Sequence, residues 1–446
     1  MGRDAQKSWS VHRAESESPA PPAGPILVTE TKADEEVPSP SPTRGLHIPQ
    51  PPHRLGHETS FCDRYLSAAG EVARPDVATP AAEMRDHAFQ LIRVLDDHGT
   101  AVGPWNPNLG VADLKAGLRH MMLTRVFDER MHRAQRQGKT SFYMQCRGEE
   151  AIACAQTTAL RADDMCFPTY RMQGILITRG YPLLDMMNQI YSNAEDPLKG
   201  HQLPVLYSSR AHGFFSLSGN VATQYCQAVG WAMACAYRGL DSIAAAWIGD
   251  GSTAEGDFHN ALTFAAVYRA PVILNIVNNQ WAISSFQGLA GVGNATFASR
   301  AIGYDLPGLR VDGNDFLAVY SATAWAAERA RRNLGATVIE FYTYRSGAHS
   351  TSDDPTRYRP AAEELKWPFG DPIERLKAHL IGHGAWSEEE YRALHEKLTE
   401  EVRVIGKQAD AVGTLGQSKP SAAEMFSDVY KTADWRLRRQ RQKLGI

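Results

Sequence analysis

Two short motifs hold the residues best suited to chemistry. Gly249-Asp250-Gly251 is followed, after 26 residues, by Asn278-Asn279. Each trails an apolar run, "IAAAWIG" (243–249) and "PVILNIV" (271–277). The stretch between reads as a helix over about 254–269, with Phe258, Ala261, Leu262 and Ala265 on one face. A strand–helix–strand unit with a right-handed crossover brings both turns to the carboxyl edge of one parallel sheet. Asp250 and Asn279 then offer hard oxygen ligands at that edge. Magnesium takes octahedral oxygen, keeps one or two protein carboxylates and fills other positions with phosphate. Glycine lets backbone approach a ligand closely, and the helix N-terminus near Ala254 suits an anion. The residues alone therefore predict a magnesium–diphosphate site.

The elements that must position this site follow the same pattern. "LRV" (309–311), the turn "DGND", a helix over about 315–333 and "VIEFYTY" (338–344) form a second strand–helix–strand unit. Strands this apolar are expected when helices cover both sheet faces. Upstream, Leu114, Leu118, Met121, Met122 and Val126 recur at helical spacing over about 112–137, and "GEEAIACAQTTAL" reads as a short helix. "PAAEMRDHAFQLIRVLDDHG" (80–99) reads as one helix with Phe89, Ile92 and Leu95 on its apolar stripe. "WSEEEYRALHEKLTEEVRVIGKQ" reads as a solvated helix with Ser387 and Glu390 in capping-box spacing. The division expected is an extended or disordered Pro-rich tail (1–55, ten prolines), an N-terminal arm (56–110), a diphosphate-binding α/β domain (111–355) and a C-terminal helical region (356–446).

Composition bounds the rest. The 446 residues are 43% hydrophobic, enough for a large core. Net charge is −3, which argues against a dedicated nucleic-acid binder. The basic end "WRLRRQRQK" (435–443) reads as a charged helix rather than a docking site for an anionic partner. Mean hydropathy is −0.36 and no apolar run approaches bilayer-spanning length, so no membrane is expected. The N-terminus has neither an apolar core segment nor the acid-poor character of a transit peptide. Cysteines 62, 146, 154, 166, 226 and 235 form no CxxC pair, as expected of reduced thiols in the cytoplasm.

The paired motifs resemble the cofactor motif of thiamine-diphosphate enzymes. "SFYMQCRGEEA", "FPTYR", "DPLKGHQLP", "FFSLSGNVATQ", "LRVDGNDFLAVY" and "TYRSGAHSTSDDP" extend the likeness to the alpha subunits of the decarboxylating component of branched-chain 2-oxo acid dehydrogenases, bacterial type. The fold implied is the α/β parallel-sheet thiamine-diphosphate-binding fold with helical extensions. By resemblance, Asp250, Asn279 and the Trp281 carbonyl bind magnesium. Tyr170 and Arg171 hold the diphosphate, the planar guanidinium being suited to phosphate oxygens. Gly249, Gly251 and Ser252 meet the diphosphate by backbone, Gly219 is a further cofactor-binding residue, and Val221 props the cofactor's bent conformation. In relatives the loop "SGNVATQ" binds potassium, which here would use Ser218, Asn220, Thr223 and Gln224; a polar loop satisfying itself is the alternative. The loop differs from the glycine-rich one of pyruvate-specific alpha subunits.

The resemblance also implies that His349 contacts the cofactor and moves a proton during transfer to the lipoyl substrate, its near-neutral titration suiting that task. Arg345 and Asp353 would order its loop by ion pairing. A phosphate on Ser350, as in some relatives, would disrupt it. His201 stands where arginine is expected, and His212 matches no family role. The chain has a single diphosphate-type domain, so the pyrimidine-binding half of the site is expected from a beta subunit in an α2β2 heterotetramer. The activity implied is oxidative decarboxylation of branched-chain 2-oxo acids with acyl transfer to a lipoyl-bearing acyltransferase. Pyruvate or acetoin is the alternative substrate, because one methylene in an apolar pocket discriminates by only about 1–3 kcal/mol.

Overall fold

The apolar runs of the sequence assemble into a six-stranded sheet whose pairings are all parallel. This computed structural model describes residues 49, 51, 55–56, 61 and 66–446, apart from 292–295, 416, 418–420 and 428–429. The expected Pro-rich tail lies almost wholly outside the described residues. The strands are β1 (Leu91–Ile92), β2 (Met165–Phe167), β3 (Ala244–Gly249), β4 (Val272–Asn278), β5 (Gly308–Asp312) and β6 (Thr337–Tyr342). Their order across the sheet is β1-β5-β6-β4-β3-β2.

Side chains leave each strand alternately to the two faces. Ala245, Trp247, Ile273, Val277, Ile339 and Phe341 pack into one core with α1 (Val111–Arg136), α2 (Glu150–Ala159) and α7 (Phe316–Arg331). Ala244, Ala246, Ile248, Leu274, Ile276 and Val338 pack into the other with α5 (Thr223–Tyr237) and α6 (Gly256–Val267). Helices α3 (Gln173–Thr178) and α4 (Leu183–Tyr191) extend the first layer. This is the α/β parallel-sheet fold the sequence predicts. Helix α8 (Pro372–Gly382) and α9 (Glu388–Val412) follow, and α10 (Trp435–Leu444) closes the chain with no buried residue. No described helix is long and apolar enough to cross a membrane.

Two elements differ from the sequence reading. Residues 80–99 do not form one helix. They make short 3-10 turns at Ala81–Glu83 and Arg85–Ala88, then the edge strand β1, with Leu91 opposite Arg310 and Ile92 opposite Val311. Leu91, Ile92, Val94 and Leu95 are all buried, whereas Phe89, placed on the helical stripe, is 46% exposed. Tertiary pairing overrides the helical period here: the open edge of β5 offers backbone partners, and Ile92 and Leu91 pack into separate clusters on either side. The Asp315 carboxylate adds acceptors for Val94 N (2.8 Å) and Leu95 N (2.6 Å). Helix α9 has the expected cap, Ser387 Oγ accepting from Glu390 N at 3.1 Å. It is not solvated all round: Leu398, Val402, Gly406 and Ala409 are buried against α1 and α4.

Candidate functional site

The carboxyl ends of the adjacent strands β6, β4, β3 and β2 deliver the loops that carry most of the candidate residues. This is where ligands bind in open parallel sheets. Asp250 directly follows β3 and is 2% exposed. One carboxylate oxygen accepts from Gly251 N at 2.8 Å. The other, Oδ2, is buried with no hydrogen-bond partner among the described residues. Burial drives the pKa of this carboxyl up to about 7; the Gly251 N–H and the Arg345 charge oppose that rise. A buried carboxylate oxygen without a protein partner has the chemistry of a hard-cation ligand, and it fits magnesium.

Asn279 follows β4. Its Nδ2 donates to Glu149 Oε1 at 2.7 Å, and its Oδ1 accepts from Trp281 N at 3.3 Å. Between them Gln280 sits at φ +76°, a left-handed conformation unusual for a residue with a side chain. Its amide donates to the carbonyls of Asn278 (3.2 Å) and Thr343 (3.2 Å), which holds the turn. The chain then runs into the hairpin Trp281–Ala282/Ser285–Phe286. A Cβ on Gly251 would stand 2.4 Å from the Ala282 Cβ, so the Asp250 turn and the hairpin touch with no room for a side chain. The Trp281 carbonyl accepts from Arg345 Nη1 at 2.7 Å and keeps a second lone pair.

Tyr170 and Arg171 follow β2. Arg171 is buried, 3% exposed, rather than a surface charge. It donates to the carbonyls of Gln145 and His349, and its Nη2 lies 3.2 Å from His349 Nδ1. Its Nε lies 3.9 Å from Glu149. The Tyr170 ring stands edge-on to His349, 5.8 Å between centroids. Burial also pushes the Tyr170 hydroxyl pKa up.

His349 lies beyond β6, as the sequence predicts, but does not titrate near neutrality. Burial, then the Arg171 and Arg345 charges, pull its pKa down to about 3. With Arg171 donating to Nδ1, the neutral ring carries its proton on Nε2. Arg345 and Asp353 do order this loop, though not by the direct ion pair expected. Arg345 Nη2 donates to the Tyr358 hydroxyl (2.7 Å), which donates to Asp353 Oδ2 (2.6 Å), and that oxygen also accepts from His349 N (2.7 Å). A phenol inserted between the charges keeps each hydrogen-bonded where a direct pair would not reach. Ser350 is 8% exposed, and its Oγ accepts from Ser352 N at 3.2 Å.

The loop before α5 lies apart from these contacts. Ser218 Oγ accepts from Asn220 N at 3.1 Å. Ala222 turns the chain at φ +67° into α5, which begins with Thr223. Gln224 donates to the Trp247 carbonyl at 2.8 Å, while its buried Oε1 has no partner among the described residues. That open oxygen is compatible with a monovalent cation. A Cβ added at Gly219 or Gly249 would meet no atom within 4 Å, so both leave space above the sheet. Ser252 sits in the short turn Asp250–Ala254, its carbonyl accepting from Glu255 N. Val221 is 45% exposed rather than core, an apolar side chain awaiting cover. His212 bonds Ser209 Oγ at 2.8 Å and packs on Tyr181; His201 bonds the Glu424 carbonyl at 2.7 Å.

Glu149, Tyr358 and Asp128 escaped the sequence reading. Asp128 is buried and accepts from the Tyr143 hydroxyl (2.6 Å) and Cys146 N (2.7 Å), which fixes the strip bearing the Gln145 carbonyl. Glu149 and Glu150 are the sole charges in an otherwise apolar or neutral "GEEAIACAQTTA", a signal that they are buried for a purpose. Glu150 pairs with Arg125 at 2.7 Å and accepts from Gly148 N at 2.8 Å.

Comparison with known proteins identifies the family. Residues 118–417 match the family model of the dehydrogenase E1 component. Residues 42–82 match that of the 2-oxoisovalerate dehydrogenase E1 alpha subunit N terminal. The 2-oxoisovalerate dehydrogenase subunit alpha of Pseudomonas aeruginosa is 62% identical over 402 residues, 90% of this chain and 98% of that protein. The mitochondrial subunit alpha of Homo sapiens is 37% identical over 412 residues, 90% of this chain and 89% of its own. That of Mus musculus is 38% identical over 357 residues, 80% and 79% respectively.

Proposed function

The chain belongs to the dehydrogenase E1 component family, and from that premise we propose that it is the alpha subunit of a 2-oxoisovalerate dehydrogenase. It is an oxidoreductase of the decarboxylating type, acting on branched-chain 2-oxo acids and passing the acyl group to a lipoyl-bearing acyltransferase. The family implies thiamine diphosphate, a beta subunit and the rest of a 2-oxo acid dehydrogenase complex. The observation that carries the site reading is the buried, unpartnered Asp250 Oδ2 at the end of β3, the strand paired with the one that leads into Asn279 and Trp281. Magnesium would be held by those oxygens, and thiamine diphosphate, when bound, supplies an electron sink for decarboxylation. Arg171 and Tyr170 would take the diphosphate, with Gly219, Gly249, Gly251 and Ser252 lining it and Val221 propping the ring portion. Neutral His349, Nδ1 engaged by Arg171, would present its Nε2 proton as a donor toward the reacting groups. Potassium would sit on Ser218, Asn220, Thr223 and Gln224.

The assembly proposed is α2β2, the beta subunit supplying the pyrimidine-binding half, and the buried, unpaired Cys146, Cys154 and Cys166 suit a reducing cytoplasm. The experiment is a comparison of initial rates of the chain plus its beta subunit on 3-methyl-2-oxobutanoate and on pyruvate. A kcat/KM at least about tenfold higher on the branched acid, one or two methylenes' worth of discrimination, is expected. Preference for pyruvate would refute the branched-chain assignment.

A further inference from the structure

We propose that Glu149 is a positioning residue for the metal site: it fixes the orientation of the Asn279 amide so that the oxygen, not the NH2, is presented to the cation. The inference rests on the magnesium site proposed above. An asparagine side chain is nearly symmetric in shape, so a rotation of half a turn about its last bond exchanges oxygen for nitrogen. Only the oxygen binds a hard cation. Some neighbour must break that near-symmetry, and Glu149 does so. It sits at the N-cap of α2 with 1% exposure, and its Oε1 accepts from Asn279 Nδ2 at 2.7 Å. Oε1 is the acceptor in this bond, so the flipped amide would set oxygen against oxygen in a buried place. On the other side, Trp281 N donates to Asn279 Oδ1 at 3.3 Å, which would become a contact between two N–H donors after a flip. The amide is held from both ends. The oxygen so fixed lies on the same turn as the Trp281 carbonyl. The same carboxylate lies 3.9 Å from Arg171, so one buried group serves both the metal side and the diphosphate side of the site.

The test uses the full chain with its beta subunit and titrates magnesium at fixed thiamine diphosphate, read by calorimetry. Glu149→Ala should raise the magnesium midpoint about 10–100-fold, the range for removing a group that orients a metal ligand. Glu149→Gln can turn either its oxygen or its NH2 toward Asn279, so it restores only part of the orientation and should fall between wild type and the alanine variant. In the Glu149→Ala background, Asn279→Asp should restore magnesium affinity, because a carboxylate offers an oxygen whichever way it turns. A residue that merely supported the fold would not be rescued so. If the alanine variant does not fold, Glu149→Met, of similar volume and without the acceptor, takes its place. Asp250→Ala is the control. Should it retain wild-type magnesium dependence, the metal-site reading itself fails. If it loses that dependence while Glu149→Ala keeps the wild-type midpoint, or Asn279→Asp gives no rescue, the role of Glu149 alone is overturned.

Discussion

The close approach of the Asp250 turn to the following hairpin can be turned into a number. In Gly251→Ala the new methyl would stand 2.4 Å from the Ala282 Cβ, where ordinary contact begins at 3.4 Å. The two backbones must part by about 1 Å, the difference between those distances. Forcing an extra carbon into a packed interior costs about 1–3 kcal/mol. The displacement also separates Asp250 from the Trp281 carbonyl, and a misplacement of ~1 Å at a site costs on the order of 100-fold. Gly251→Ala should therefore melt a few degrees lower, bind magnesium and thiamine diphosphate more weakly, and lose about two orders of magnitude in turnover with the beta subunit. Ala282→Gly removes the opposing methyl at a cost of about 0.5–1 kcal/mol. The double variant Gly251→Ala/Ala282→Gly should accordingly recover most of these losses. Calorimetric titration, turnover and denaturant unfolding of the four proteins complete the cycle. Wild-type behaviour of Gly251→Ala, or failure of Ala282→Gly to compensate it, would refute the argument.

Other outcomes follow from the same geometry. Val221 is half exposed, so Val221→Ser should change the stability of the chain by less than about 0.5 kcal/mol, yet weaken cofactor binding in the presence of the beta subunit; a marked drop in stability would return it to the core. Exchange of sodium for potassium should raise the melting temperature of the wild type and leave Gln224→Met unmoved, because the buried Oε1 is the acceptor the ion would use. His349 has a folded pKa of about 3, below that of an unfolded histidine, so its contribution to stability is complete above about pH 6.5 and is withdrawn as pH falls toward 3. Urea unfolding of the cofactor-free protein at pH 5.5 and 7.5 should show a smaller decline for His349→Gln than for wild type.

Much of the positioning frame was legible because its signal is local. Runs such as "IAAAWIG" and "PVILNIV" are buried on both faces, and their length and flanking turns mark them as strands wherever they pack. The polar residues just past each run then had to meet at one edge. What escaped was decided by partners far along the chain. Leu91 and Ile92 form a strand because β5 offers an open edge more than two hundred residues later. Tyr358 relays Arg345 to Asp353, although neither charge's identity demands a phenol between them. Residue type gives His349 only an unperturbed pKa, whereas burial beside two guanidinium groups sets the actual one. Glu149 could have been found: two adjacent acids at the start of an apolar helix ask for buried partners.

The carboxylate of Asp315 has a bearing on the order in which the molecule can be assembled. One oxygen caps α7 through Leu317 N (3.0 Å) and Ala318 N (3.1 Å). The other takes the N–H groups of Val94 and Leu95, residues 221 and 220 positions earlier. During synthesis the segment "LIRVL" must wait, apolar and unpaired, until β5 and this one side chain have emerged. Such long-range closure is slow and leaves a strand open to mispairing with other chains. The vulnerable interval of this protein's life is therefore its making, and the same carboxylate that ends that interval also locks the arm to the sheet afterwards.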